Sequence, residues 1–176
     1  MIESTDFSLH LRSLDVDVFF CRAGMSALTE SSVVLSSSDG EGTNMLDHIF
    51  LTVSDIKRSI SFYEAALAPL GMNERFDYDG KNGPPGHPDL KGFGANGRLY
   101  LWLREGVADG RAAHVGFVAG SRKQVQAAYA AAIAAGGADN GKPGVRLYYD
   151  PRYYAANVLD PDGYSIEFVY KNWQHS

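Results

Sequence analysis

Residues 45–176 read as two rounds of one pattern: an apolar strand, an amphipathic helix and further short strands. LDHIFLTVSD, residues 46–55, reads as a buried strand in which Leu46, Ile49, Phe50, Leu51 and Val53 surround one imidazole, His48. Ile56, Ile60, Tyr63, Leu67 and Leu70 then fall on one face of a helix ended by Gly71. MNERFDYDG is strand-like, KNGPPGHPDL reads as a long Gly/Pro loop, and GRLYLWLRE alternates Leu99, Leu101 and Leu103 with Tyr100 and Trp102. The second round opens on the strand AAHVGFVAG and a helix from Ser121 to Gly136-Gly137, with Ser121 and Gln124 spaced as a capping box. VRLYYDP, YYAANVLDPDG and YSIEFVYK read as three short strands, the last preceded by a Pro/Gly turn.

The two rounds superpose without a gap, bringing His48 onto His114, Tyr63 onto Tyr129 and Gly71 onto Gly137. This is an internal repeat of a βαβββ unit. One unit cannot bury its own sheet face, so the expected fold class is α+β, with paired βαβββ modules forming a curved-sheet cleft. An imidazole is costly to bury unless its nitrogens are satisfied, so what His48 and His114 face becomes the question.

Residues 1–44 differ from this body. They end in the Ser/Gly/Asp-rich stretch SSVVLSSSDGEGTN and are expected to be a poorly ordered extension, although LHLRSLDVDVFF, residues 9–20, alternates enough to dock as a strand. The extension carries the whole net charge of −5, and residues 45–176 balance fourteen basic against fourteen acidic side chains. A neutral body disfavours nucleic-acid and acidic-membrane binding. The single cysteine, Cys21, excludes an intramolecular disulfide and a cysteine-based zinc site. No apolar run is long enough to span a bilayer, and a reducing, cytoplasmic home is expected.

LDHIFLTVSDIKRSISFYEAALAPLG, AHVGFVA and DPDGYSIEFV together resemble the vicinal-oxygen-chelate superfamily, which embraces glyoxalase, bleomycin-resistance and extradiol dioxygenase proteins, over residues 45–171. The resemblance implies one divalent metal ion held by His48, His114 and Glu167, a homodimer and a small-molecule substrate. Two neutral imidazoles and a carboxylate bind Zn, Fe, Mn, Co or Ni and leave positions for two adjacent substrate oxygens. The alternative is that each imidazole is a hydrogen-bonded core residue and that Glu167 pairs with an arginine such as Arg146. Glu167 superposes on Leu101, where the four-ligand glyoxalase I pattern would hold another ligand. The set therefore resembles the three-ligand members, the extradiol dioxygenases and fosfomycin-resistance thiol transferases.

RLYYDPRYYAAN supplies Arg146, Tyr148, Tyr149, Tyr153, Tyr154 and Asn157; of these Arg146, Tyr148, Tyr154 and Asn157, with Leu101, are the expected substrate contacts. His87 and His175 are expected to be solvated, and DPDG, residues 160–163, to be a turn without chemistry. The expected function is a metal-dependent enzyme using bidentate oxygen chelation, with Glu167 as its catalytic group, of lyase, isomerase or dioxygenase type. A metal-free, ligand-sequestering protein of the bleomycin-resistance kind is the alternative.

Overall fold

Two sheets, each with one helix, carry the residues that this computed structural model describes, 46–173. The first module runs β1 (Ile49–Val53), α1 (Ile56–Leu67), β2 (Glu74–Tyr78), β3 (Leu90–Ala95) and β4 (Arg98–Glu105); its sheet has the order β1-β4-β3-β2. The second runs β5 (His114–Val118), α2 (Arg122–Ala134), β6 (Ala138–Asp139), β7 (Gly144–Val145), β8 (Tyr154–Leu159) and β9 (Ser165–Tyr170), with the order β5-β9-β8-β6 and β7 beside β8. First and last strands are parallel in both modules, and the remaining pairs are antiparallel. The fold is the α+β pair of βαβββ modules read from the repeat. The extension 1–44, its possible strand over 9–20, and His175 lie outside the described residues.

Local chemistry starts and stops the helices. Asp55 accepts from the Arg58 amide at 3.0 Å, and Ser121 accepts from that of Gln124 at 3.2 Å. Gln124 returns a bond to the Gly120 amide, one residue before the expected capping-box partner. Gly71 and Gly136 adopt φ of 84° and 97° after the two helices.

One strand is missing from the sequence-based reading, and one expected strand shrinks. LKGFGA is a central strand, β3, that Gly92 and Gly94 conceal by interrupting the apolar pattern. Of VRLYYDP only Val145 lies in a strand, where it follows Gly144 in β7; the chain then turns, with the amides of Tyr149 and Asp150 bonded to the Arg146 carbonyl.

Alternation along each strand separates a core face from an open one. Leu51, Val53, Phe93, Leu101 and Leu103 of the first sheet and Phe117, Val158, Ile166 and Phe168 of the second join both helices in one continuous core. Asp162, in the turn before β9, clasps the modules together: its carboxylate accepts from the amide and hydroxyl of Ser54 and from Arg58 at 2.6 Å. Tyr164 donates to the Thr52 carbonyl, and Tyr63 donates to Asp160, each at 2.8 Å. On the open faces stand His48, Phe50 and Trp102 in the first module, and His114, Val118 and Glu167 in the second. Among the described residues no helix is long and apolar enough to cross a membrane.

Candidate functional site

The parallel pairing of β5 with β9 places His114 beside Ser165 and Gly116 beside Glu167 on the open face of the second sheet. His114 Nε2 lies 3.5 Å from Glu167 Oε2, and Nδ1 lies 2.8 Å from Ser165 Oγ. The Ser165 hydroxyl can accept from Nδ1 or donate to it; in the tautomer where it accepts, an imidazole lone pair faces a carboxylate oxygen, and a cation between them would satisfy both. The carboxylate is otherwise well sheltered, its side chain 11% exposed. Tyr153, immediately before β8, donates its hydroxyl toward both carboxylate oxygens at 3.1 and 3.2 Å. Burial first, and then the Glu167 charge, push the Tyr153 phenol up to about 12, so it remains a donor at neutral pH. Asn157 pairs with Glu167 across β8 and β9, and its Oδ1 is buried without a hydrogen-bond partner among the described residues.

His48 belongs to a different part of the molecule. It precedes β1 at the rim of a pocket of about 550 Å³ over the first sheet, floored by Phe50 and Trp102 and walled by Tyr78 and His87. Its Nδ1 donates to Asp47 at 2.6 Å, which leaves Nε2 free to bind, and Asp47 also holds Arg98 at 3.3 Å. The hydrogen bond from His48, with help from Arg98, keeps the Asp47 carboxyl below its ordinary range. Among the described residues no third His, Cys, Asp or Glu joins His114 and Glu167 in a metal-sized group. One chain therefore brings together two of the three expected ligands and holds the third elsewhere.

The expected substrate contacts divide. Asn157 lies on the open face beside Glu167. Arg146 caps the carbonyls of Gly141, Lys142 and Gly144 and does not pair with Glu167. Tyr148 is 74% exposed and rests on Tyr149. Tyr154 points to the opposite face, where it is buried, accepts from Gln126 and lies under Arg122. Strand alternation makes its neighbour Tyr153 the tyrosine that reaches the site. Leu101 is likewise corrected: it is fully buried in the core, away from any cleft. Phe50 pairs with Trp102 where Gly116 pairs with Glu167, so Trp102 occupies the place equivalent to Glu167. A one-residue difference in the spacing from first to last strand broke the gapless superposition at that point.

A profile of the Glyoxalase/Bleomycin resistance protein/Dioxygenase superfamily matches residues 45–168. A glyoxalase/bleomycin resistance protein from Albidiferax ferrireducens is similar in structure, with 26% identity, a TM-score of 0.57, and coverage of 72% of this chain and 98% of that one. Glyoxalase I from Zea mays gives 26% identity and a TM-score of 0.52 over 71% of this chain, which spans 45% of the maize chain. The fosfomycin resistance protein FosX of Listeria monocytogenes, solved with Mn(II) and a dihydroxypropylphosphonic acid, shares the fold at 18% identity and a TM-score of 0.50, over 70% of this chain and 86% of that one. No curated protein sequence matches the chain. The paired βαβββ modules and the profile match over most of its length place this chain in the glyoxalase/bleomycin resistance protein/dioxygenase superfamily.

Proposed function

We propose that this protein is a homodimeric, divalent-metal-dependent enzyme in which His114 and Glu167 of one chain and His48 of a second copy hold one ion. The observation that carries this reading is the convergence of His114 Nε2 and Glu167 Oε2 at 3.5 Å, with the far side of the imidazole tied to Ser165. The donor chemistry fits: Asp47 takes the Nδ1 proton of His48 and leaves Nε2 as a donor to metal, Ser165 can do the same for His114, and Glu167 supplies the charge. Dimerisation is supported by the open faces, where Phe50, Phe76 and Val118 are exposed, and by the sheet-edge positions of β1 and β5.

A bound divalent ion would supply Lewis acidity to two adjacent oxygens of a small substrate. The chain's own residues do the rest. In this reading Tyr153 holds the carboxylate through its hydroxyl, Asn157 offers its carbonyl oxygen beside it, and Glu167 takes up a substrate proton. Trp102 stands where a fourth protein ligand would close the site, which leaves room for the substrate and favours lyase, isomerase or dioxygenase chemistry at a three-ligand centre.

Titration of the full chain with Mn(II), read by the free-ion spin-resonance signal, tests this reading. One ion per chain is expected, with affinity reduced at least about a hundredfold in His114→Ala and Glu167→Gln while the melts stay cooperative. Full occupancy in Glu167→Gln would remove that carboxylate from the site. A wild-type chain that takes up no divalent ion would support the metal-free sequestering protein, a reading favoured by the aromatic pocket beside His48.

A further inference from the structure

The pocket beside His48 carries its own information about the molecule it takes. Its floor is aromatic: Phe50 and Trp102, partners across β1 and β4, lie within 21° of parallel with centroids 6.4 Å apart. Gly92 makes that floor flat, since a Cβ there would stand 2.9 Å from the Trp102 ring. One wall is the β2–β3 loop, folded tightly on itself. The Gly80 amide donates to Asp89 at 2.8 Å, and a Cβ on Gly80 would collide with the His87 carbonyl. His87 is held edge-on to Tyr78, with centroids 5.3 Å apart.

The hydrogen bonding of that histidine decides what it offers. Its Nδ1 lies 2.9 Å from the Pro88 carbonyl, which can only accept, so Nδ1 carries the proton and Nε2 presents a lone pair. Arg98 is the only cationic side chain among the described residues lining the pocket, and Asp47 already holds it. An anionic ligand would find no free positive charge, whereas a flat neutral ring would find an aromatic floor with the His87 acceptor on the loop wall, apart from the His48 Nε2 at the rim that the proposed function gives to the ion. We infer that this pocket binds an uncharged planar aromatic group bearing an O–H or N–H donor, and that His87 Nε2 is the acceptor that selects it. The inference rests on the proposed function only in naming this group as part of the substrate; the pocket itself is built by one chain.

Binding of β-naphthol, its methyl ether and β-naphthoate to the full chain, by calorimetry and by the Trp102 indole N–H resonance, tests the inference with and without Mn(II). β-Naphthol should bind about five- to tenfold more tightly than the ether, the value of one hydrogen bond, and more tightly than the naphthoate. His87→Phe, which retains the packing on Tyr78, should abolish the preference over the ether while still binding both rings, and Trp102→Ala should weaken all three ligands. Equal binding of naphthol and ether by the wild type, an unchanged ratio in His87→Phe, tightest binding of the naphthoate, or binding of none of the three would each overturn it. Failure of the metal reading would appear in the Mn(II) titration and would leave these ratios in the chelated protein intact.

Discussion

Glu167 keeps a carboxylate in a sheltered position because Tyr153 donates toward both of its oxygens and His114 faces it from β5. Removing only the Tyr153 hydroxyl separates that role from packing. Tyr153→Phe should weaken Mn(II) about tenfold or more while costing about 1 kcal/mol in urea unfolding; unchanged affinity would show that the hydroxyl does not position the ligand. Leu101→Ala, by contrast, should cost about 3 kcal/mol whether or not metal is added, because it opens a cavity in the core. The repeat brings out His48 and His114 as equivalent polar positions, whereas Glu167, whose counterpart in the first module is apolar, is expected only from the resemblance carried by DPDGYSIEFV. Leu101 and Tyr154 were misassigned for one reason: in a strand a one-residue error exchanges the faces. Trp102 and Tyr153 are the neighbours that occupy the open side.

At the scale of elements, both helices, β1, β5, β8 and β9 follow from periodicity and caps, whereas β3 does not. Gly92 and Gly94 remove the apolar signal where backbone and the Trp102 ring approach too closely for a side chain. DPDG shows a different kind of miss: it reads as a bare turn, yet its Asp162 joins β9 to the start of α1. Burial alone would raise the Asp162 carboxyl, but the bonds from Ser54 and the Arg58 guanidinium more than offset this and hold it below the ordinary range. A lowered folded-state value means that the clasp stabilises fully above the unfolded carboxylate value of about 3.9 and is lost as pH falls through the folded value. Asp160, raised by burial, contributes in the opposite sense, favouring folding as pH falls. Asp162→Asn should therefore be less stable than wild type at neutral pH, and the gap should narrow as pH drops from about 5 toward 2 in urea titrations. A constant gap over that range would show that the carboxylate charge contributes nothing.

For the whole molecule, the repeat correctly announced two modules, and the strand pattern correctly gave each sheet one buried face. It could not show which open faces meet, because that depends on how the helices and the Asp162 clasp orient the modules. In the folded chain His48 overlooks its own aromatic pocket, and His114 and Glu167 stand together without a third ligand among the described residues. Completion of the metal centre by a second copy can be read by pairing two defective chains. His48→Ala and Glu167→Ala should each bind no Mn(II) alone. A mixed dimer of the two, isolated through different affinity tags, should bind one ion per dimer, because His48 of the second variant meets the intact His114–Glu167 pair of the first. A mixed dimer that binds no more metal than its parents would contradict the shared site.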